Sequence, residues 1–159
     1  MHTNRGRVLR CGLGCTWTLL CLPTLALAHL GGDAASVHAD RAAFDGQLQT
    51  TSMLQYDEQD MTLPSGTVVH EYVSRSGAVF AISWRGPMPP DLSQLLGSYF
   101  PRYTSAASAA AQARPGLQRE LSSVASDFVV QSVAHLRSFR GKAYLPGLVP
   151  EGVSVELLP

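Results

Sequence analysis

Short apolar and β-branched runs alternate with turn residues from residue 47 onward, which is the pattern of antiparallel strands. Turns are expected at Pro64-Ser65-Gly66 and Arg75-Ser76-Gly77, because proline presets φ and glycine accepts a positive φ. The four predicted strands are residues 48–56, 59–63, 67–74 and 78–85. The stretch Asp57-Glu58-Gln59-Asp60, at the junction of the first two predicted strands, concentrates acidic residues and is expected to form a solvated loop.

The fourth predicted strand is apolar at almost every position. A period of two places one set of side chains on one face and the alternate set on the other. The two sets are Phe80, Ile82 and Trp84, and Val79, Ala81 and Ser83.

Helical spacing appears before and after this strand region. Asp33 can cap a helix over 33–44, with Val37, Arg41 and Phe44 on one face, after a flexible leader at 30–32. Asp91 is followed by the capping-box residue Gln94. The apolar residues after Asp91 fall at i, i+3, i+4 and i+7 of a helix, and they are Leu92, Leu95, Leu96 and Tyr99.

Pro101 is predicted to end that helix, and a second, alanine-rich helix is predicted from Thr104 or Ser105 to Ala113, closed by Pro115-Gly116. Residues 127–133 and 135–145 are predicted to form a last hairpin with a bulge at Gly141. This order of elements predicts an α+β fold, an antiparallel meander sheet with helices packed on one face.

The first 28 residues resemble a cleavable export signal. Arg5, Arg7 and Arg10 precede an uncharged apolar stretch over 11–27, and Ala26-Leu27-Ala28 offers a small-x-small cleavage site. A membrane anchor is the competing interpretation, but the stretch is short of the ~20 apolar residues that a span needs. We therefore predict a signal peptide at 1–28, a single domain at 29–159, and a periplasmic or secreted product.

Cleavage would change both the thiol content and the charge of the product. Cys11, Cys15 and Cys21 all lie in the leader, so the remaining domain has no disulfide, thiol nucleophile or cysteine-ligated metal. It keeps nine basic and twelve acidic residues, a net charge of about −3. That balance argues against a nucleic-acid partner, and no stable membrane span is expected after cleavage.

Several motifs together resemble a family of exported proteobacterial proteins classed only as a domain of unknown function. The matching stretches are Leu30-Gly31-Gly32, residues 66–73, 77–87, Asp91-Leu92, Leu95-Leu96-Gly97, residues 99–103, 129–132 and 141–146. The resemblance implies a small single-domain exported protein and brings no reaction, ligand or catalytic residue. The relatives are expected to carry a small residue where His29 stands here.

A copper site is the sharpest chemical hypothesis. Cleavage after Ala28 would leave His29 at the amino terminus, where the terminal amine and the imidazole can chelate Cu(II). His38, His70 or His135 would supply the other imidazole. A solvated terminal histidine is the simpler interpretation.

His70-Glu71 invites an acid–base interpretation, but adjacent strand side chains point to opposite faces. The sequence has no G-x-S-x-G, H-E-x-x-H or phosphate-binding glycine loop, and no cofactor is predicted.

An aromatic cluster is the better candidate for a binding surface. Trp84, Tyr99 and Tyr103 accompany Arg102, and tryptophan, tyrosine and arginine are enriched at binding hot spots. The other interpretation is that Trp84 and Tyr99 fill the core and Tyr103 caps it.

The sequence therefore favours a non-catalytic envelope or secreted module that binds a protein or a small ligand. The alternative is a copper protein or a hydrolase that uses His29, His70 and His135.

Overall fold

Seven strands form one antiparallel sheet in this protein, whose structure is a computed structural model that describes residues 29–33, 37, 44–45, 47–113 and 119–158. The strands are β1 (Gln47–Ser52), β2 (Tyr56–Thr62), β3 (Val68–Ser74), β4 (Val79–Gly86), β5 (Arg119–Val124), β6 (Val129–His135) and β7 (Ser138–Tyr144). Their spatial order is β1-β2-β3-β4-β7-β6-β5, so two meanders join where β4 pairs with β7. The antiparallel sheet predicted from the sequence is confirmed.

Helix occupies the connection between the two meanders. It consists of α1 (Leu92–Leu96), a 3₁₀ turn at Gly97–Tyr99 and α2 (Phe100–Ala113). A second 3₁₀ turn, Pro146–Leu148, follows β7. The fold is thus mostly sheet with some helix.

The main core lies on one face of the sheet, which we call the core face. Leu95 and Leu96 of α1 are fully buried there with apolar side chains from the strands. The strand residues of this cluster include Met61, Val69, Ile82, Trp84, Val130 and Ala143. Asp91 caps α1 as predicted, its Oδ1 accepting hydrogen bonds from the backbone N–H groups of Ser93 and Gln94 at 2.9 and 3.2 Å.

Two predictions about the helices need correction. The first helix is interrupted at Gly97, whose φ of +50° ends the regular helical backbone, and not at Pro101. The second helix begins at Phe100 and not at Thr104 or Ser105. Pro101 is therefore its second residue, where a missing N–H costs nothing because the first turn has no intrahelical acceptors.

The alternation along β4 is broken by an extra residue. Tyr72 lies opposite Ala81 and Val73 opposite Val79, so Phe80 is a bulge. Phe80 therefore joins Ala81 and Tyr72 in a small second cluster, while Val79 joins the main core. The predicted face assignment was wrong for Phe80 and Val79, because a bulge shifts every residue beyond it by one position.

The segment predicted as a flexible leader is docked onto the fold. Leu30 is fully buried, and its backbone N–H donates to the carbonyl of Leu95 at 2.9 Å. Gly31 donates to Val79, and Val79 donates back to Gly32, each at 2.9 Å. The predicted leader 1–28 and most of the predicted helix 33–44 lie outside the described residues, although Val37 is buried in the main core.

Two predictions about strands were also wrong, and one strand was missed. Residues 57–60 belong to β2 and form no loop, and β5 was not predicted at all. Gly141 makes no bulge, since it pairs in regular register with Ser132 and Trp84. Among the described residues, no helix has both the length and the apolar character required to cross a membrane.

Candidate functional site

A row of polar side chains crosses the sheet on the face opposite the core, which we call the groove face. Direct cross-strand pairing links one residue on each of six adjacent strands, which lie in the order β2-β3-β4-β7-β6-β5 across the sheet. The row consists of Asp60, His70, Ser83, Lys142, Gln131 and Ser122. Because residues directly opposite each other share a face, all six project to the same side.

All residues of this row except Asp60 line a groove of about 560 Å³. His70, Ser83 and Lys142 line it, together with Leu158 of the carboxy-terminal segment. Leu158 packs against Tyr72 and Phe80 in the second apolar cluster, so the carboxy-terminal segment covers one end of the groove face. The volume falls within the ~300–1,000 Å³ range of small-molecule sites.

One end of the groove is basic. Arg85 lies directly opposite Arg140, and Lys142 follows Arg140 by two residues on the same face of β7. The Nζ of Lys142 donates to the carbonyl of Val155 at 3.0 Å, which positions the ammonium group without neutralising it. Neither arginine forms an ion pair with a carboxylate of the described residues, and Glu120 is the acidic residue of the groove lining.

His70, which lines the groove, is paired with two carboxylates of β2 that lie outside the groove lining. His70 Nδ1 lies 2.6 Å from Asp60 Oδ1 and 3.3 Å from Glu58 Oε1. All three side chains are partly buried, and one ligand atom from each lies within 4.8 Å of the others. Imidazole and carboxylate groups of this kind can bind a transition-metal ion.

Two buried hydroxyl groups lie near His70, on Tyr72 two residues further along β3 and on Ser83 directly opposite His70 on β4. Those of Tyr72 and Ser83 are inaccessible to solvent and lie close enough for Ser83 to affect the ionisation of Tyr72, although neither meets the geometry of a normal hydrogen bond within the described residues. Burial raises the pKa of Tyr72 well above its ordinary value, and the nearby carboxylates of Glu58 and Asp60 raise this pKa further against the opposing effect of Ser83. Tyr72 therefore stays neutral at physiological pH.

The predicted aromatic site residues lie on the core side of the molecule. Trp84 is only 4% exposed and belongs to the main core, and Tyr99 is half-buried with its ring stacked on Phe128 at 5.0 Å between centroids. Arg102 is exposed and forms an ion pair with Asp127 at 2.8 Å. Tyr103 is half-buried and stacks on Phe100 at 6.2 Å. The structure thus brings Tyr99 and Arg102 together and places Trp84 inside the core.

A shallow hollow of about 430 Å³ adjoins Arg102. Its lining comes from α2, β5 and Phe128, and includes Ala106, Ala109 and Ser123. Of the predicted partner-binding residues, Arg102 lines this hollow and Trp84, Tyr99 and Tyr103 do not.

The histidines of the copper hypothesis are not one cluster. The group of possible ligands that the described residues provide contains His70 but neither His29 nor His135. The side chain of His29 packs against Gly97, where an added Cβ would lie 2.7 Å from it. His38 lies outside the described residues.

His70 and Glu71 point to opposite faces, as strand geometry predicts. Glu71 is fully buried on the core face, whereas His70 lies on the groove face with its ring stacked on Tyr72 at 6.4 Å.

Sequence reasoning missed the groove because no local pattern carries it. The row depends on the β4–β7 pairing between residues about sixty apart in the chain. The signal that could have found the carboxylates beside His70 is the i, i+2 spacing of Glu58 and Asp60, which in a strand places both on one face.

A comparison with curated proteins finds no match, and a comparison with solved structures finds none either. One family model, described as "Protein of unknown function (DUF2844)", matches residues 26–158. Since this match spans nearly all of the folded chain, the protein belongs to the DUF2844 family of unknown function.

Proposed function

We propose that the protein is a non-catalytic binding module, exported to the periplasm or secreted, and that the groove is its ligand-binding surface. The observation that carries the proposal is the polar row from Asp60 to Ser122. One face of an antiparallel sheet is commonly solvated and polar. Here five of the six residues of the row also line one concavity of ligand size.

The cellular location is part of the proposal. The basic leader, the uncharged stretch and the Ala26-Leu27-Ala28 site support removal of residues 1–28, which leaves 29–159 as the product. Intact-mass measurement on protein from the envelope and the culture medium tests this, since cleavage there gives a chain that begins at His29. A full-length chain found in the cytosol would contradict export.

A hydrolase is the alternative that the groove raises most directly, because Asp60, His70 and Ser83 follow one another in the order of a catalytic triad. The geometry favours binding over catalysis. Ser83 Oγ is buried and makes no hydrogen bond of normal geometry to His70, although a nucleophile must reach both its base and its substrate. Ser83 also lies within a regular strand and not on a sharp turn.

Two variants test the binding role of the groove. Gln131→Trp introduces a bulky ring into the groove from an exposed position, and Gln112→Trp introduces the same ring at an exposed position of α2. A thermal-shift screen of sugars, sugar phosphates, amino acids, nucleotides and short peptides identifies compounds that stabilise the native protein. We expect Gln131→Trp to lose this stabilisation and Gln112→Trp to keep it, and equal retention by both would refute the groove as the site.

Metal binding is a second candidate, favoured by the geometry of Glu58, Asp60 and His70. These groups would supply one nitrogen and two oxygen ligands, a set that suits Zn²⁺ or Cu²⁺. Titration with each ion, followed by calorimetry, tests it. Binding that His70→Gln abolishes and His135→Gln preserves would support this site, and equal binding by both variants would rule it out.

A further inference from the structure

We propose that the groove recognises a compact anion that also carries hydroxyl groups, of the class of sugar acids and sugar phosphates. Arg85 and Arg140 hold the anionic group, and the neutral part of the polar row holds the hydroxyls. The inference rests on the proposed function and specifies its ligand class.

The first step is the placement of the two arginines. Directly opposed residues on one face of an antiparallel pair have Cβ atoms about 4.5–5.5 Å apart, and like charges in that position repel. The carboxylate on the same row, Glu120, lies two strands from Arg140, or roughly 10 Å across the sheet. The described residues therefore hold two adjacent cations with no acidic neighbour between them, and an anion bound between the two would relieve the repulsion.

The second step is the chemistry of the cations. A guanidinium group presents planar, paired N–H donors that fit the oxygens of a carboxylate or phosphate. Lys142 adds a third positive charge from the next position on β7, held in place by the carbonyl of Val155. The guanidinium groups of Arg85 and Arg140 and the ammonium group of Lys142, on two adjacent strands, together constitute a site for one anionic group.

The third step concerns the neutral donors. Gln131 lies directly opposite Lys142, and its amide is exposed in the groove. Ser122 lies directly opposite Gln131 on β5 and offers an exposed hydroxyl. The Ser83 hydroxyl is inaccessible to solvent beside Tyr72, so the neutral contacts come from Gln131 and Ser122. Such groups recognise sugar hydroxyls.

The size of the charged patch sets the size of the ligand. Acidic residues border it on both sides, with Glu120 on β5 and Glu58 and Asp60 on β2. A polyanion that extended past the two arginines would be repelled by these carboxylates. The charge pattern therefore fits a compact anion and argues against nucleic acid or an anionic membrane surface.

The probes are glucose 6-phosphate, glucuronate, glucose and inorganic phosphate, each added to the purified protein and followed by amide NMR shifts and calorimetry. We expect glucose 6-phosphate or glucuronate to bind more tightly than glucose, with shifts at Ser83, Gln131 and Lys142. The tighter of the two identifies the anionic group as phosphate or carboxylate. Inorganic phosphate alone should bind more weakly, because it lacks the hydroxyl contacts.

Arg140→Gln and Arg85→Gln should each weaken binding of the preferred probe by about tenfold. Arg137→Gln is the matched control, because it removes the same charge from the turn of the same hairpin, outside the groove. An equal loss in Arg137→Gln would show a general charge effect and overturn the inference.

The remaining outcomes separate this inference from the function on which it rests. If glucose binds in the groove as tightly as its charged analogues, anion recognition is wrong and the groove remains a binding site. If none of the probes shifts a groove amide, the sugar-anion class is wrong, and the screen with Gln131→Trp then decides whether the groove binds anything.

Discussion

Arg102 holds Asp127 by two parallel hydrogen bonds, from Nη1 to Oδ2 at 2.8 Å and from Nη2 to Oδ1 at 2.9 Å. The same guanidinium lies over the rings of Phe128 and Tyr99, at 5.3 and 6.0 Å from their centroids. These contacts connect α2 to the loop between β5 and β6. The Arg102 side chain, which the sequence analysis proposed as a binding residue, thus connects the helical segment to the meander formed by β5, β6 and β7.

Replacing Arg102 by lysine should lower the melting temperature by no more than about 4 °C, because exposed ion pairs are weak and lysine cannot form the paired hydrogen bonds. The effect should also depend on pH. The hydrogen bonds from Arg102 lower the pKa of Asp127, so the pair stabilises the fold above the ordinary aspartate pKa and loses its effect as pH falls through the lowered value. Thermal melts of wild type and Arg102→Lys should therefore converge in acid, and a difference that grows in acid would contradict this.

Gly141 is predicted to tolerate no side chain. A Cβ there would lie 2.4 Å from Trp84 Cζ2 and 2.7 Å from the carbonyl oxygen of Gln131. Gly141→Ala should therefore reduce the free energy of unfolding by about 2 kcal/mol or more. Gly147→Ala is the control, since nothing lies within 4 Å of the added atom, and it should change stability by less than about 0.5 kcal/mol. Urea unfolding measures both, and equal effects would show that the Trp84 contact is not the cause.

Local patterns predicted the first four strands because each carries its own alternation and turn residues, as around Gly66 and Gly77. They failed for β5, where Leu121 and Val124 are the apolar residues of a largely polar strand. They also failed for Leu30, which is buried in the main core and bonded to the distant residue Leu95. The groove required both meanders and the pairing between them, which is tertiary information. The candidate site was accordingly less predictable than the sheet that carries it.

The hydroxyl of Tyr72 should destabilise the protein in alkali. Burial holds its pKa above the value of 10.0 expected for the unfolded chain. The unfolded chain therefore loses this proton first, and stability should fall as pH rises beyond about 10. Tyr72→Phe should reduce that fall, because phenylalanine has no proton to lose.

Denaturant unfolding from pH 7 to 11 measures the alkaline effect of Tyr72. Tyr103→Phe removes the same atom from a half-buried side chain of α2 and serves as the comparison. An alkaline decline of equal steepness in wild type and Tyr72→Phe would show that another group is responsible.

The repulsion between Arg85 and Arg140 should appear in stability measurements without any ligand. In 10 mM salt, Arg140→Gln should raise the free energy of unfolding by about 0.5 kcal/mol, since like charges directly opposed on a sheet face are destabilising. The gain should shrink toward zero in 1 M salt, where the screening length falls to about 3 Å. Arg85→Gln should act similarly, and the double variant should gain little beyond either single one, because removing one charge already ends the repulsion. Additive gains in the double variant would mean that each arginine is opposed by some other group, and the two would then not form a site for one shared anion.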